Sequence, residues 1–502
     1  MHYSFNRVLS VLLAGLMLMS LVACSSPDDV TDDTKTAETE IRGETGDPNF
    51  TCDLPGSLSF NNTEVTTMYV NVDGRADELY SPKLGYGTVS DAVYERNVAV
   101  ENALDVKLAF VDVANDGEAN SKLGNMVSAG DRSVEIFTFA SYMAIPGAVS
   151  GVFLDLNQVD HVDLSKHYWS QDYNPVATFT SKNMQFLATS TAALSMFRLA
   201  YLTIFNVDLM KDRSMPSLYD AVDNGEWTLD YQYSLVNDIW VDTDGSGANS
   251  EGDFYGHITG DTITMDTYPV ACNVHLVIRD ENGDWYFNSK ELDNMVSMAE
   301  KVSALVNAPG TYKFKGAGSD FVGDNAIIKK FSQEGGLMAT VQFLSIEMCI
   351  ESLADLTYGI VPMPKLNQHQ PDYYTYVQDQ VTGFGISSAI GYDNDHQEML
   401  GAVMEAMAYY SYEIVRPAYY ESTLSLRFMQ DERSYDMLGL MFRTISYDYA
   451  YLHPGGLGGI KADMRTVLPS RNPAVSSYMR RWEKAIEKQL NTEKLALDKL
   501  LE

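Results

Sequence analysis

Cysteine is scarce in this chain, with four residues, Cys24, Cys52, Cys272 and Cys349. No two of them stand at the spacing of a structural zinc site. So few thiols also exclude a fold held together mainly by disulfides. Basic residues are few as well: 35 Lys and Arg face 69 Asp and Glu, a formal net charge of −34. Nucleic-acid binding needs clustered cations against phosphate, so that balance argues against it. The eight histidines are scattered and none falls in a His-Glu-x-x-His pattern. A Gly-x-Ser-x-Gly elbow is missing, and no glycine run ends in Gly-Lys-Ser or Gly-Lys-Thr. The run Gly455-Gly456-Leu457-Gly458-Gly459 is better explained as a flexible turn. With 69 carboxylates, a close pair suited to glycoside hydrolysis stays open as a possibility of the sequence. Beyond the first 23 residues no apolar stretch approaches the ~20 residues needed to cross a bilayer.

What is present begins with Arg7 and a nearly unbroken apolar run from Val8 to Ala23. The run is short for a membrane span and ends in small residues, as a secretory signal peptide does. The stretch Leu21-Val22-Ala23-Cys24 resembles the lipobox of bacterial lipoproteins. That resemblance implies cleavage before Cys24 and lipidation of its thiol by a diacylglycerol, placing the protein on the outer side of the cytoplasmic membrane. Residues 25–49 are rich in Asp, Glu, Thr and Gly, with Val30 and Ile41 the only aliphatics beyond alanine. Such a segment cannot bury enough apolar surface to order itself. The expected layout is therefore a signal peptide over 1–23 and a lipidated acidic tether over 24–55. If Cys24 is lipidated, three thiols remain and at most one disulfide can form.

Apolar residues make up 45% of the whole chain, enough for substantial cores. Strand patterns at 66–72, 106–113, 134–140, 185–189, 201–205, 337–343, 358–362 and 384–388 alternate with helical spacing. Val89, Ala92, Val93, Val100 and Leu104 mark one helix. Asp395 is a candidate cap for another that runs to about Tyr412, and Tyr478, Trp482, Ile486 and Leu490 mark a last one. This alternation predicts an α/β protein, with sheets covered by helices.

Several segments, taken in order, resemble the extracellular solute-binding proteins of family 1, the carbohydrate-type receptors of ABC importers. They are "DAVYERN" (91–97), "AYLTIFNVDLM" (200–210) with Asn206 at its turn, "NGEWTLD" (224–230) and "DTDGSGANSEGDFYG" (242–256), followed by "FSQEGGLMATVQ" (331–342), "YGIVPMPK" (358–365) and a C-terminal stretch from Arg416. The resemblance implies a two-lobed, periplasmic-binding-protein-like fold of type 2 with a ligand cleft between lobes. It places lobe one at 56–196 plus 381–416 and lobe two at 197–380 plus 417–502. The implied function is capture of a sugar or oligosaccharide by cleft closure and delivery to an ABC permease, without catalysis. A secreted glycan-active enzyme and a surface lipoprotein that binds a protein partner are the alternatives.

A sugar site needs aromatic platforms and polar side chains in a cleft. The chain has 31 Tyr, 20 Phe and 5 Trp, so position must choose among them. Ligands of α/β sheets sit outside the carboxyl ends of strands. That selects Thr138, Phe139 and Tyr142 after one strand, and Gln342 and Phe343 after another. The family resemblance adds Trp169, although His167-Tyr168-Trp169 departs from the family's tryptophan pair. Tyr447 and Asp448, beyond a C-terminal helix, complete the set. Trp227 is expected to be structural, beside a helix capped by Thr228. No cofactor is required, but Asp242, Asp244, Ser246, Gly247 and Asp253 fit positions 1, 3, 5, 6 and 12 of a calcium loop. Ser246 and Asp253 depart from the usual ligands, and a solvated Asp-Gly turn explains the same residues.

Overall fold

Strands collected from distant parts of the chain form two larger sheets and two two-stranded ladders. In a computed structural model, residues 52–179, 183–316, 321–391, 393–420, 432–453 and 457–500 are described. Cys24 and most of the tether lie outside them. The strands in chain order are β1 (Thr63–Val70), β2 (Val106–Val113), β3 (Ile136–Ala140), β4 (Tyr201–Asn206), β5 (Trp240–Val241), β6 (Phe254–Gly260), β7 (Val277–Arg279), β8 (Trp285–Phe287), β9 (Thr311–Phe314), β10 (Gly336–Gln342), β11 (Tyr358–Val361), β12 (Thr375–Tyr376), β13 (Thr382–Ile386) and β14 (Ile445–Ser446).

The first sheet has the order β13-β3-β1-β2, with β1 parallel to β2 and β3, and β13 antiparallel to β3. The second runs β11-β4-β10-β6-β5, with β9 also paired to β6. β13 thus rejoins the first sheet after the chain has built the second. The outward and return crossings touch each other. Ala200 and Val377 form an antiparallel bridge, and the Gln378 N–H donates to the Leu199 carbonyl at 3.2 Å. β12 pairs in parallel with β14, with Thr375 opposite Ile445 and Tyr376 opposite Ser446.

Most elements follow the sequence pattern. The helix Thr88–Leu104 buries Ala92, Val93, Val100 and Leu104, and packs against the helix Asn394–Tyr410. That second helix is capped by Asp393, whose carboxylate accepts from the His396 N–H at 3.4 Å, two residues before the expected Asp395. The segment 185–189 is not a strand. It meets the first sheet through the bridge Ala188↔Phe384 and a Thr189 hydroxyl bond to the Thr382 carbonyl, so its apolar alternation reflects burial without a ladder. Cys52, Cys272 and Cys349 are free thiols.

Two of the motif segments prove to be partners. Trp227 is fully buried, and its Nε1 donates to the Pro362 carbonyl at 2.8 Å. The Lys365 N–H donates to the Trp227 carbonyl at 3.1 Å, and Thr228 caps the next helix through the Tyr231 N–H. "GEWT" and "PMPK" therefore lock a helix start to the end of β11, which is a structural role. Arg96 and Asn97 of "DAVYERN" act similarly: both donate to the Leu79 carbonyl at 2.9 Å, and Arg96 also reaches the Glu78 carbonyl at 3.1 Å.

These contacts hold Glu78 against the crossings. Its carboxylate accepts from the Ser195 N–H and from the Thr382 hydroxyl, the latter at 2.7 Å, on the outgoing and returning chains. Burial pushes Glu78 up to about 7, against the opposing pull of those hydrogen bonds and of Arg75. Between its ordinary value of 4.5 and that raised value, the folded state keeps a proton that the unfolded chain releases. This residue's contribution to stability is therefore present at low pH and is lost as pH rises through about 7. Glu78→Gln should gain stability relative to the parent between pH 5 and pH 8, read as the difference in urea midpoints. A difference that does not change with pH contradicts this assignment.

Candidate functional site

Ionised and hydroxylated side chains are buried where the crossings meet the C-terminal segment. Asp379, on the returning crossing, is ion-paired with Lys461 of the helix Ile460–Val467, and the Lys461 ammonium also lies 3.7 Å from Asp266. Arg465, one turn further along that helix, donates from Nε to Asp266 at 2.9 Å. Asp266 is fully buried. Burial raises its pKa, while Lys461 and Arg465 pull it back. Burial alone would lower Arg465, but its hydrogen bonds to Asp266 and the negative charge there raise it instead. Arg465 and Lys461 are four residues apart, so a single helix face supplies both cations.

Tyrosines complete this seam. Tyr376 of β12 stacks on Tyr201 with centroids 6.0 Å apart and meets Tyr451 edge-on at 6.4 Å. Tyr447 meets Tyr173 edge-on at 5.3 Å, and the Tyr173 hydroxyl shares a 2.7 Å hydrogen bond with Ser141. Asp448 bonds His275 Nδ1 through Oδ2 at 2.7 Å. Burial would lower His275, but that bond and the Asp448 charge raise it. Among the described residues, the hydroxyls of Tyr376, Tyr447 and Tyr451 and the Oδ1 of Asp448 have no hydrogen-bond partner, although all are buried. Burial holds the three phenols well above their ordinary pKa, so they stay neutral donors. Buried polar groups are nearly always paired, so each of these exceptions calls for a partner such as water or a bound polar molecule.

The residues proposed from sequence divide into two groups. Tyr142, Gln342, Tyr447 and Asp448 lie on or beside the seam. The Tyr142 N–H donates to the Asp379 carbonyl at 3.1 Å, and Gln342 Nε2 donates to Gln378 at 2.5 Å. The other four are packed in the interior. Thr138 donates its hydroxyl to the Met68 carbonyl at 2.9 Å, and Phe139 is a core residue facing Phe153. Trp169 is buried with its Nε1 on Glu405 at 2.8 Å, and Phe343 is buried edge-on to Phe442. Sequence reasoning missed Asp266, Asp379, Tyr376, Tyr451, Lys461 and Arg465. The one signal available was the Lys461/Arg465 pair at helical spacing after a glycine-rich turn.

The acidic turn lies elsewhere, beside β5 and β6. Carboxylate oxygens of Asp242, Asp244 and Asp253 lie within 4.8 Å of one another. Each already accepts protein donors: Asp242 from the Gly247 N–H at 2.8 Å, Asp244 from the Ser246 N–H at 2.8 Å, and Asp253 from the Ser250 N–H at 2.9 Å. Ser246 donates its hydroxyl to the Ala248 carbonyl at 2.9 Å. The hydrogen bonds from Ser250 and Ser246 bring Asp244 down to about 2.

Removing one member of a buried ion pair strands its partner, at a cost of about 3–5 kcal/mol. Lys461→Met should lose stability of that order, and adding Asp379→Asn should restore much of it. Equilibrium urea unfolding of the two single variants and the double variant measures the coupling. Strictly additive losses contradict the pairing.

No protein-family model matches the sequence, and no curated protein matches it. Solved structures do match in fold. UspC of M. tuberculosis superposes with a TM-score of 0.53 at 15% identity, covering 84% of this chain and 99% of that one. The apo form of RafE from Streptococcus pneumoniae gives 0.50 at 14% identity, with 86% and 98% coverage. The maltose/maltodextrin-binding domain MalE of Bdellovibrio bacteriovorus, bound to maltotriose, gives 0.50 at 12% identity, with 86% and 100% coverage. At such identities the likeness is one of fold: this chain has the two-lobed, periplasmic-binding-protein-like α/β architecture.

Proposed function

We propose that this protein belongs with the family 1 extracellular solute-binding proteins and captures a sugar or oligosaccharide for an ABC permease. The observation that carries the reading is the set of buried, unpartnered groups on Tyr376, Tyr447, Tyr451 and Asp448, on and just after the β12–β14 ladder. Three phenolic donors and one carboxylate acceptor complement hydroxyl groups, which both accept and donate. The maltotriose complex of MalE, which has the same fold, is a precedent for a saccharide as ligand. In this reading the two lobes close over the solute and release it unchanged, and no side chain acts as a catalyst.

The same reading makes Cys24 a lipid-anchored N-terminus that holds the receptor outside the cytoplasm beside its permease. Two acyl chains suffice for durable anchoring. A calcium ion at Asp242, Asp244, Ser246 and Asp253 is in this reading an optional addition, since N–H donors already close that turn.

A thermal-shift screen against a carbohydrate panel should give at least one saccharide that raises the melting temperature and is recovered unaltered. Asp448→Asn should weaken binding of that saccharide about tenfold or more, by altering the acceptor at the site. Conversion of the saccharide to product contradicts the reading and favours a glycan-active enzyme. Cys24→Ser should move the protein from the membrane fraction to the soluble fraction of its host. Retention on the membrane contradicts the anchor.

A further inference from the structure

Arg198 ends the short helix Ser195–Arg198 on the outgoing crossing, and its guanidinium is shared between segments of the two larger sheets. Two hydrogen bonds, of 2.6 and 3.0 Å, run to Asp77 in the segment after β1, and the Gly74 carbonyl of that segment accepts a third at 3.3 Å. On the other side Nε donates to Glu347 at 3.1 Å, in the helix Phe343–Met348 that follows β10. Each end is anchored in its own sheet. Arg75, which follows Gly74, pairs with Asp116 through two bonds of 2.9 and 2.7 Å, and Asp116 also accepts from the Ala140 N–H at the end of β3 at 2.8 Å. The helix of Glu347 continues β10 directly, and Glu347 accepts from the Tyr419 hydroxyl at 2.6 Å.

An apolar contact runs beside the ionic one. Gly74 has φ +81°, a conformation that favours glycine, and a Cβ there would lie 2.6 Å from Leu344 Cδ2. The absence of a side chain lets the first-sheet segment approach the second-sheet helix. The three charged groups are unequally placed. The side chains of Arg198 and Glu347 are 9% and 11% exposed, whereas that of Asp77 is 39% exposed. Burial would raise the Asp77 carboxyl, but the Arg198 charge and hydrogen bonds hold it below its ordinary value, so it is ionised at neutral pH. If the sheets part, Asp77 can exchange Arg198 for water at its exposed side, while Arg198 keeps Glu347 and the Tyr419 ring 5.6 Å away. Glu78, the next residue, is bonded to both crossings. The joint therefore lies at the pivot between the sheets, where a small loosening is amplified in distant parts.

We propose that Gly74 and Asp77 form a latch on Arg198 that holds the two larger sheets at one separation before any ligand arrives, with Asp77 as the partner that lets go. Double electron–electron resonance reads that separation on the full chain carrying Cys24→Ser and Cys52→Ser, labelled through Lys107→Cys at the start of β2 and Lys329→Cys ahead of β10. Both lysines are exposed and outside the latch, and the remaining thiols, Cys272 and Cys349, are buried. The parent should give one distance population. Asp77→Asn, which leaves Glu347 to neutralise Arg198, should add a second population displaced by about 3 Å or more, as expected of a hinge motion. Gly74→Leu, whose side chain would claim the space of Leu344 without altering a charge, should do the same. Urea unfolding verifies the fold of each variant, and Gly74→Leu decides the matter if Asp77→Asn does not fold. A folded variant with the parent's single distance overturns the latch, as does a parent that already shows two populations. No saccharide is present in the measurement, so failure here leaves the saccharide-binding reading standing.

Discussion

Charged and hydroxylated side chains stay buried where the chain crosses between its two sheets, and the molecule is organised around accommodating them. Asp266, Asp379 and Lys461 cannot each be buried alone, because an isolated ion in a low-dielectric interior costs several kcal/mol, and the half-buried Arg465 adds a second cation beside Asp266. They are tolerable only as a mutually paired set. That pairing requires the returning crossing, the turn before Thr267 and the helix Ile460–Val467 to meet in one place. Three remote parts of the sequence are thereby fixed relative to one another.

A row of tyrosines stands on this charged floor. Burial, and after it the nearby charge of Asp266, holds the Tyr376 and Tyr451 phenols neutral. Neutral phenols are good donors and weak acids, and suit a guest rich in oxygen. Pairing in the floor also keeps its charges from competing for that guest. The hydroxyls of Tyr376, Tyr447 and Tyr451 and the Oδ1 of Asp448, by contrast, are buried without a hydrogen-bond partner among the described residues. In the proposed reading, the paired floor contributes stability and the unpartnered groups contact the ligand.

Much of the fold was legible in the sequence, because strand alternation and helical spacing are local signals. β2 and the helix Thr88–Leu104 begin and end close to where their apolar periods do. The segment 185–189 misled, since a buried apolar stretch alternates whether or not it joins a ladder. The site was only partly legible. Counting from strand ends brought Tyr142 and Gln342 to the seam, but the same rule also selected Thr138 and Phe343, which point into cores. Trp169 is buried and its N–H is satisfied by Glu405, away from the seam residues. Asp266, Asp379 and Tyr376 carry no local pattern at all. Their significance comes from long-range pairing with the C-terminal segment, which no window of sequence contains. Glu78 and Arg96 are similar, as charged residues buried under the crossings for architectural reasons.

The central claim is that the seam's unpartnered atoms are the groups that receive the ligand. The most direct test is a crystal structure of the protein with the tightest-binding saccharide. The account predicts sugar hydroxyls within hydrogen-bond distance of the Tyr376, Tyr447 and Tyr451 hydroxyls and of Asp448 Oδ1, with Lys461 still paired to Asp379. A saccharide bound elsewhere, with those four atoms satisfied by one another or by water alone, would contradict it.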